Sequence, residues 1–172
     1  MTPAAAMKVV LWGTLLSTVI FWFGVMPVAE RYCGLDQYKV TGKNVDYGVS
    51  DVEALAKNDR AAAGYVLPIL FPLDLLLLAS LAAFMITWSL YFAGGAGIPA
   101  ASTWLVIIVP VIYMAADLSE NCLLARMLTD PTTISNRAVV IMQATTQLKL
   151  AAGLFGLLQT VSIFVLALIL RR

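Results

Sequence analysis

The stretch Thr103-Trp-Leu-Val-Ile-Ile-Val-Pro110-Val-Ile-Tyr113-Met-Ala-Ala-Asp117-Leu-Ser-Glu120-Asn121-Cys122-Leu-Leu-Ala-Arg126 decides the fold of this sequence. From Thr103 to Ala116 it carries no charge, and then two carboxylates and an amide arrive within a single helical turn. Asp117, Glu120 and Asn121 are spaced i, i+3, i+4, so a helix puts them on one face, with Tyr113 one turn earlier. A run this apolar reads as a helix at membrane depth. Carboxylates there are costly and turn toward a bundle interior or a wet cavity.

Composition agrees with that reading. Of 172 residues, 61% are hydrophobic and 12% charged, whereas about a quarter of a soluble domain is charged. Mean hydropathy is +0.89, and the length suits a single domain covering residues 1–172. A net charge of +1 without any basic cluster excludes nucleic acid as a partner class. The chain has no histidine, so haem and zinc sites built on histidine are excluded, and no metal or cofactor is expected. Two cysteines, Cys33 and Cys122, are too few for a disulfide framework, and no CxxC pair is present.

Outward from the opening stretch, the pattern predicts an all-α integral membrane protein, a four-helix transmembrane bundle. Its helices are expected over about 8–27, 66–93, 103–128 and 138–170. The first is apolar from Lys8 to Met26 and longer than the ~7–15 residues of a signal-peptide core, so it reads as a retained helix stopped by Pro27, Glu30 and Arg31. Residues 28–64 are expected to form one long polar loop between helices 1 and 2. The loop holds more than half of the chain's charged residues, and Gly34, Gly42 and Gly48 break any period. Within it Ser50-Asp51-Val52-Glu53 reads as a capping box opening a short helix to about Ala61, and Tyr32, Tyr38 and Tyr47 suit a membrane interface. Pro68 and Pro72 predict a kink early in the second helix. Gly94-Gly95-Ala-Gly97-Ile-Pro99 is an uncharged turn with no lysine or preceding strand, which excludes a phosphate loop. In the fourth helix the uncharged run Leu150 to Leu170 rises ~31 Å, the thickness of a bilayer core.

Helix rise alone then places the polar residues at one depth. Measured from the glycine turn, Asp74 lies at ~27 Å, Asp117 and Glu120 at ~21 and ~26 Å, and Lys149 at ~31 Å. Asp74, Asp117, Glu120, Asn121, Gln143, Thr146 and Lys149 are thus expected in one layer beneath the 28–64 segment. Glu120, with Asp117, is the candidate acid/base pair, because carboxylates in apolar surroundings are pushed toward different protonation states. Asp74, Tyr113, Asn121, Gln143, Thr146 and Lys149 are the candidate ligand-binding groups. The structural reading stands beside this one. In it, Asp117 and Glu120 pair with Arg126, Arg137 or Lys149 as a brace between helices, Lys149 snorkels and Asp74 caps its helix.

Asp117-Leu-Ser-Glu120-Asn121 after a proline-containing apolar helix resembles the D-x-x-E-N signature of a group of bacterial four-helix membrane proteins with no known activity. Gly48-Val-Ser-Asp-Val-Glu53 leading to Arg60 and Tyr65, Phe71-Pro72-Leu-Asp74, and Thr146-Gln-Leu-Lys149 are similar to that group as well. Asp74 departs from its pattern, in which the acid stands nearer the segment start and a tyrosine follows. The resemblance implies the four-helix fold, the site location and a bacterial inner membrane, and no activity.

Lysine and arginine counts leave orientation open. Arg31, Lys39, Lys43, Lys57, Arg60, Arg126 and Arg137 mark one side, and Lys8, Arg171 and Arg172 the other. Three functions fit. The leading one is binding of a membrane lipid or other lipophile in a polar-capped pocket between helices. The others are an intramembrane acid/base enzyme and an accessory subunit, acting as a homo-oligomer or within a larger membrane complex.

Overall fold

Wherever the sequence is apolar for long enough, the chain is helical, and its prolines decide how cleanly. The computed structural model describes residues 3–40 and 46–170, so Gly42, Lys43 and the terminal pair Arg171 and Arg172 lie outside the described residues. Among the described residues all regular structure is helical, and four helical segments are long and apolar enough to cross a membrane: Ala5–Tyr32, Asp59–Ala93, Ala100–Thr129 and Asn136–Leu170.

Helix α1 (Pro3–Ile20) does not stop at Pro27. It passes through a π-helical turn, Phe21–Val25, into α2 (Met26–Tyr32). Proline lacks an N–H and its ring crowds the carbonyl four residues back. Just before it the ladder widens, with the Met26 N–H donating to Phe21 O, five residues earlier. The reversal comes at Gly34, whose φ of +67 suits a residue without Cβ. The Leu35 N–H donates to Glu30 O at 3.0 Å, and Leu35 swings into the core at 0% exposure.

In place of one uninterrupted polar loop, residues 28–64 contain the end of α2 and two further helices, α3 (Val49–Ala56) and α4 (Asp59–Gly64). Ser50 is not the cap. Asp51 Oδ2 accepts the Gly48 N–H at 2.7 Å, so the helix opens at Val49. It does not reach Ala61 unbroken, because Asn58 Oδ1 accepts the Ala61 N–H at 3.1 Å and starts α4. Leu35, Val40, Val52 and Leu55 bury themselves against Leu124, Met127, Val139 and Met142, which gives the segment an apolar core shared with the third and fourth spans. Tyr47 belongs to that core rather than to an interface, whereas Tyr32 is 90% exposed.

The second span has a longer interruption than a kink. Leu67 and Phe71 take extended backbone angles (φ −132 and −135), each directly before a proline, where the helical region is crowded. Regular helix resumes in α5 (Leu75–Ala93), and α6 (Leu105–Thr129) and α7 (Asn136–Leu170) follow. Helix α5 is central, packing on α1, α6 and α7. Its Trp88 Nε1 donates to Leu11 O at 2.9 Å, and the indole meets Trp12 and Phe164 edge-on with centroids 5.8 Å away in each case. Such aromatic pairs add about 0.5–1.5 kcal/mol each beyond area burial. Beside them Gly156 of α7 leaves space for the thioether of Met85, and Ser89 Oγ meets Thr160 Oγ1 at 3.2 Å. Small residues thus draw α5 and α7 together at the glycine-turn end.

Candidate functional site

Two helix faces meet at the polar layer. On α6, Tyr113, Asp117, Glu120, Asn121 and Leu124 recur at intervals of three and four. On α7, Gln143, Thr146, Lys149 and Gly153 do the same, so each set forms one stripe. The stripes face each other, and Lys149 joins them. Its Nζ lies 2.9 Å from Asp117 Oδ1 and 2.5 Å from Glu120 Oε2, with both carboxylates almost wholly buried. Among the described residues those two oxygens have no other partner, so they depend on the ammonium. The brace between α6 and α7 therefore uses Lys149, and neither Arg126 nor Arg137 takes part.

The remaining polar groups fall into two sets. Behind Glu120, Thr146 Oγ1 donates to Glu120 Oε1 at 2.9 Å and lies 3.2 Å from the Tyr47 hydroxyl. Thr146 Oγ1 also lies 3.0 Å from Met142 O, so this hydroxyl has a carboxylate, a carbonyl and a phenol within hydrogen-bond reach. Gln143 Nε2 donates to Tyr47 O at 2.6 Å. Gln143 and Thr146 accordingly tie residue 47 to α7. Burial pushes the Tyr47 phenol up and the nearby Glu120 charge adds to this, against the hydrogen bond to Thr146. In front, Asn121 Nδ2 donates to Asp74 Oδ2 at 2.6 Å, linking α6 to the end of the irregular 65–74 stretch.

A cavity of about 370 Å³ opens beside this layer. Asp74, Tyr113, Asp117, Glu120, Asn121 and Lys149 line it, and Gln143 and Thr146 do not. Its other walls are mostly apolar, from Met26, Leu77, Leu81, Leu154 and Leu157, with Trp22, Tyr65 and Glu30 beside them. Trp22 and Leu154 are also exposed on the outer surface, so the cavity reaches the side of the bundle between the π-turn and α7. Gly153 packs against Tyr113, and a Cβ there would sit 3.4 Å from the ring, at ordinary contact distance. Among the described residues no group of three acidic or cysteine side chains is placed to hold a metal ion, and Cys33 and Cys122 are both free thiols.

Sequence reasoning missed Tyr47, Trp22, Tyr65, Glu30 and Gly153. Only Gly153 carries a local signal, as a small residue one turn after Lys149 on the same stripe. The others arrive from segments whose path depends on the reversal at Gly34 and the broken backbone at Leu67 and Phe71. Comparison with protein-family models, with curated proteins and with solved structures finds no match to this chain.

Proposed function

We propose that this chain is a multi-pass membrane protein that holds a lipid or other lipophilic small molecule in the cavity between its helices. The membrane part rests on four long apolar helices and on what they leave uncovered. Trp12, Leu16 and Phe23 on the first span, Val111 on α6 and Leu154, Phe155, Leu158 and Val161 on α7 are exposed. Hydrocarbon covers such a belt without penalty and water does not. Residues 35–40 and 46–64 then lie at one membrane face as a folded cap over the polar layer.

The observation that carries the binding reading is the shape of the cavity. It is polar at its floor, apolar along its walls and open sideways, so a molecule could enter from the bilayer tail-parallel to the helices. A second reading has one observation in its favour: the Lys149 bridge to Asp117 and Glu120 is what a static brace in an accessory subunit would need. Asp74, Asn121 and Tyr113 lie outside that bridge and face the cavity, which favours binding. Acid/base chemistry would have to use a Glu120 already held by Lys149 and Thr146.

Native mass spectrometry of the protein released gently from its own membrane tests the proposal. The expected result is a defined lipophilic mass on the protomer or homo-oligomer. Leu154→Trp, at the exposed rim of the cavity, should weaken its retention without loss of folded yield. A stoichiometric second polypeptide with no small molecule would transfer the polar layer to a scaffolding role.

A further inference from the structure

The charges around the cavity do not balance. Glu30, Asp74, Asp117 and Glu120 contribute four carboxylates to its lining, and among the described residues Lys149 is the one ammonium there. Lys149 is committed to Asp117 and Glu120. Asp74 has only the amide of Asn121, which supplies a hydrogen bond and no charge, and among the described residues no ion pair reaches it. The Tyr113 side chain is 6% exposed and lines the same cavity, yet its hydroxyl makes no hydrogen bond among the described residues. Its oxygen keeps access to the cavity space, where a bound group can meet it.

We infer that the head of the bound molecule is an organic cation, an alkylammonium seated between the Asp74 carboxylate and the Tyr113 hydroxyl. The inference rests on the cavity binding a lipophile, as proposed above. An ammonium supplies what both groups lack: N–H donors for Asp74 and for the Tyr113 oxygen, and the positive charge that Asn121 cannot give. The rings of Trp22, Tyr65 and Tyr113 around the cavity add a surface that attracts cations by their quadrupoles. The leucines of α5 and α7 receive an alkyl tail on its way to the side opening. An anionic head would meet the like charges of four carboxylates in a medium of low dielectric, and the ammonium of Lys149 is already shared by two of them. A neutral head leaves Asp74 uncompensated. A metal ion lacks a grouped set of ligands.

The test compares three probes of equal chain length, dodecylamine, dodecanol and dodecanoate, with the full chain in phosphatidylcholine nanodiscs at neutral pH. Dodecylamine is then an ammonium and dodecanoate an anion. Binding is read by tryptophan fluorescence, and empty nanodiscs subtract partition into lipid. The ammonium should bind at least about tenfold tighter than dodecanol, with dodecanoate the weakest. Asp74→Asn should abolish that preference. Should that variant not fold, Tyr113→Phe, which removes only the hydroxyl, should reduce it several-fold. Dodecanol or dodecanoate binding as tightly as the ammonium overturns the inference and leaves the cavity reading standing. An ammonium preference that survives both substitutions overturns the assigned seat. If no probe binds saturably, the cavity reading itself fails.

Discussion

Lys149 sits where two nearly buried carboxylates converge, and its removal would leave Asp117 and Glu120 facing each other without a counter-charge. Lys149→Met should therefore destabilise the fold by about 3–5 kcal/mol, the usual effect of stranding a buried charge. Adding Asp117→Asn and Glu120→Gln should restore most of the loss, with thermal unfolding in nanodiscs as the measurement. If the single variant unfolds like the parent, the ion pairs carry no weight. Tyr47 makes a smaller contribution. Tyr47→Phe loses one hydrogen bond to Thr146 and should cost about 0.5–1.5 kcal/mol. It also has a pH signature. The buried phenol titrates above its ordinary 10.0, so the folded state holds this proton more tightly than the unfolded chain. Its contribution is complete below that value and fades as pH climbs through the folded one. The alkaline decline should thus be steeper in the parent than in Tyr47→Phe, and parallel curves would argue against it. At this scale, spacing made much of the site legible: the i, i+3, i+4 pattern put Asp117, Glu120 and Asn121 on one face, and equal depth added Asp74 and Lys149. Tyr47 was invisible, because nothing within ten residues of it predicts that it folds back under the cap.

Prolines show why local rules settle elements only in part. Pro27, Pro68, Pro72 and Pro110 all lack an N–H, yet the first span absorbs Pro27 after a π-turn and α6 runs unbroken through Pro110. The 65–74 stretch instead opens twice. Two prolines four residues apart leave no intervening turn in which the ladder can recover. That opening matters to the site, for it delivers Asp74 to Asn121. Between α5 and α7 the decisive feature is a small residue. A Cβ on Gly156 would run into the Met85 sulfur, and Met85 is 0% exposed, so its thioether would have to shift within the buried seam. Gly156→Ala should cost about 1–3 kcal/mol by overpacking, read from the unfolding midpoint, and Met85→Ala in the same chain should return part of it. If Gly156→Ala is neutral, α5 and α7 are not in close contact there.

With four spans, the Cys33 end and the Gly94–Pro99 turn should lie on opposite sides of the membrane, whichever way the protein is inserted. Cys33 in a Cys122→Ser background, and Gly95→Cys in a chain lacking both native cysteines, should react with an impermeant thiol reagent from opposite faces of sealed vesicles. Labelling from the same face would remove one span. At this largest scale composition and periodicity determined most of the outcome. Apolar runs of bilayer length become helices because a helix satisfies its backbone hydrogen bonds within one segment, as hydrocarbon requires, so four helices, their approximate limits and a polar layer at common depth follow from sequence alone. Tertiary structure decided the rest: that residues 33–40 and 46–64 pack against α6 and α7, that Lys149 closes on Asp117 and Glu120 while Asp74, among the described residues, takes only an amide, and that a side-opening cavity remains beside them. The physical reason is that depth along a helix is additive in residues. Which neighbour each carboxylate meets depends on helix rotation, on the broken backbone before Asp74 and on the small residues that set how closely the helices approach.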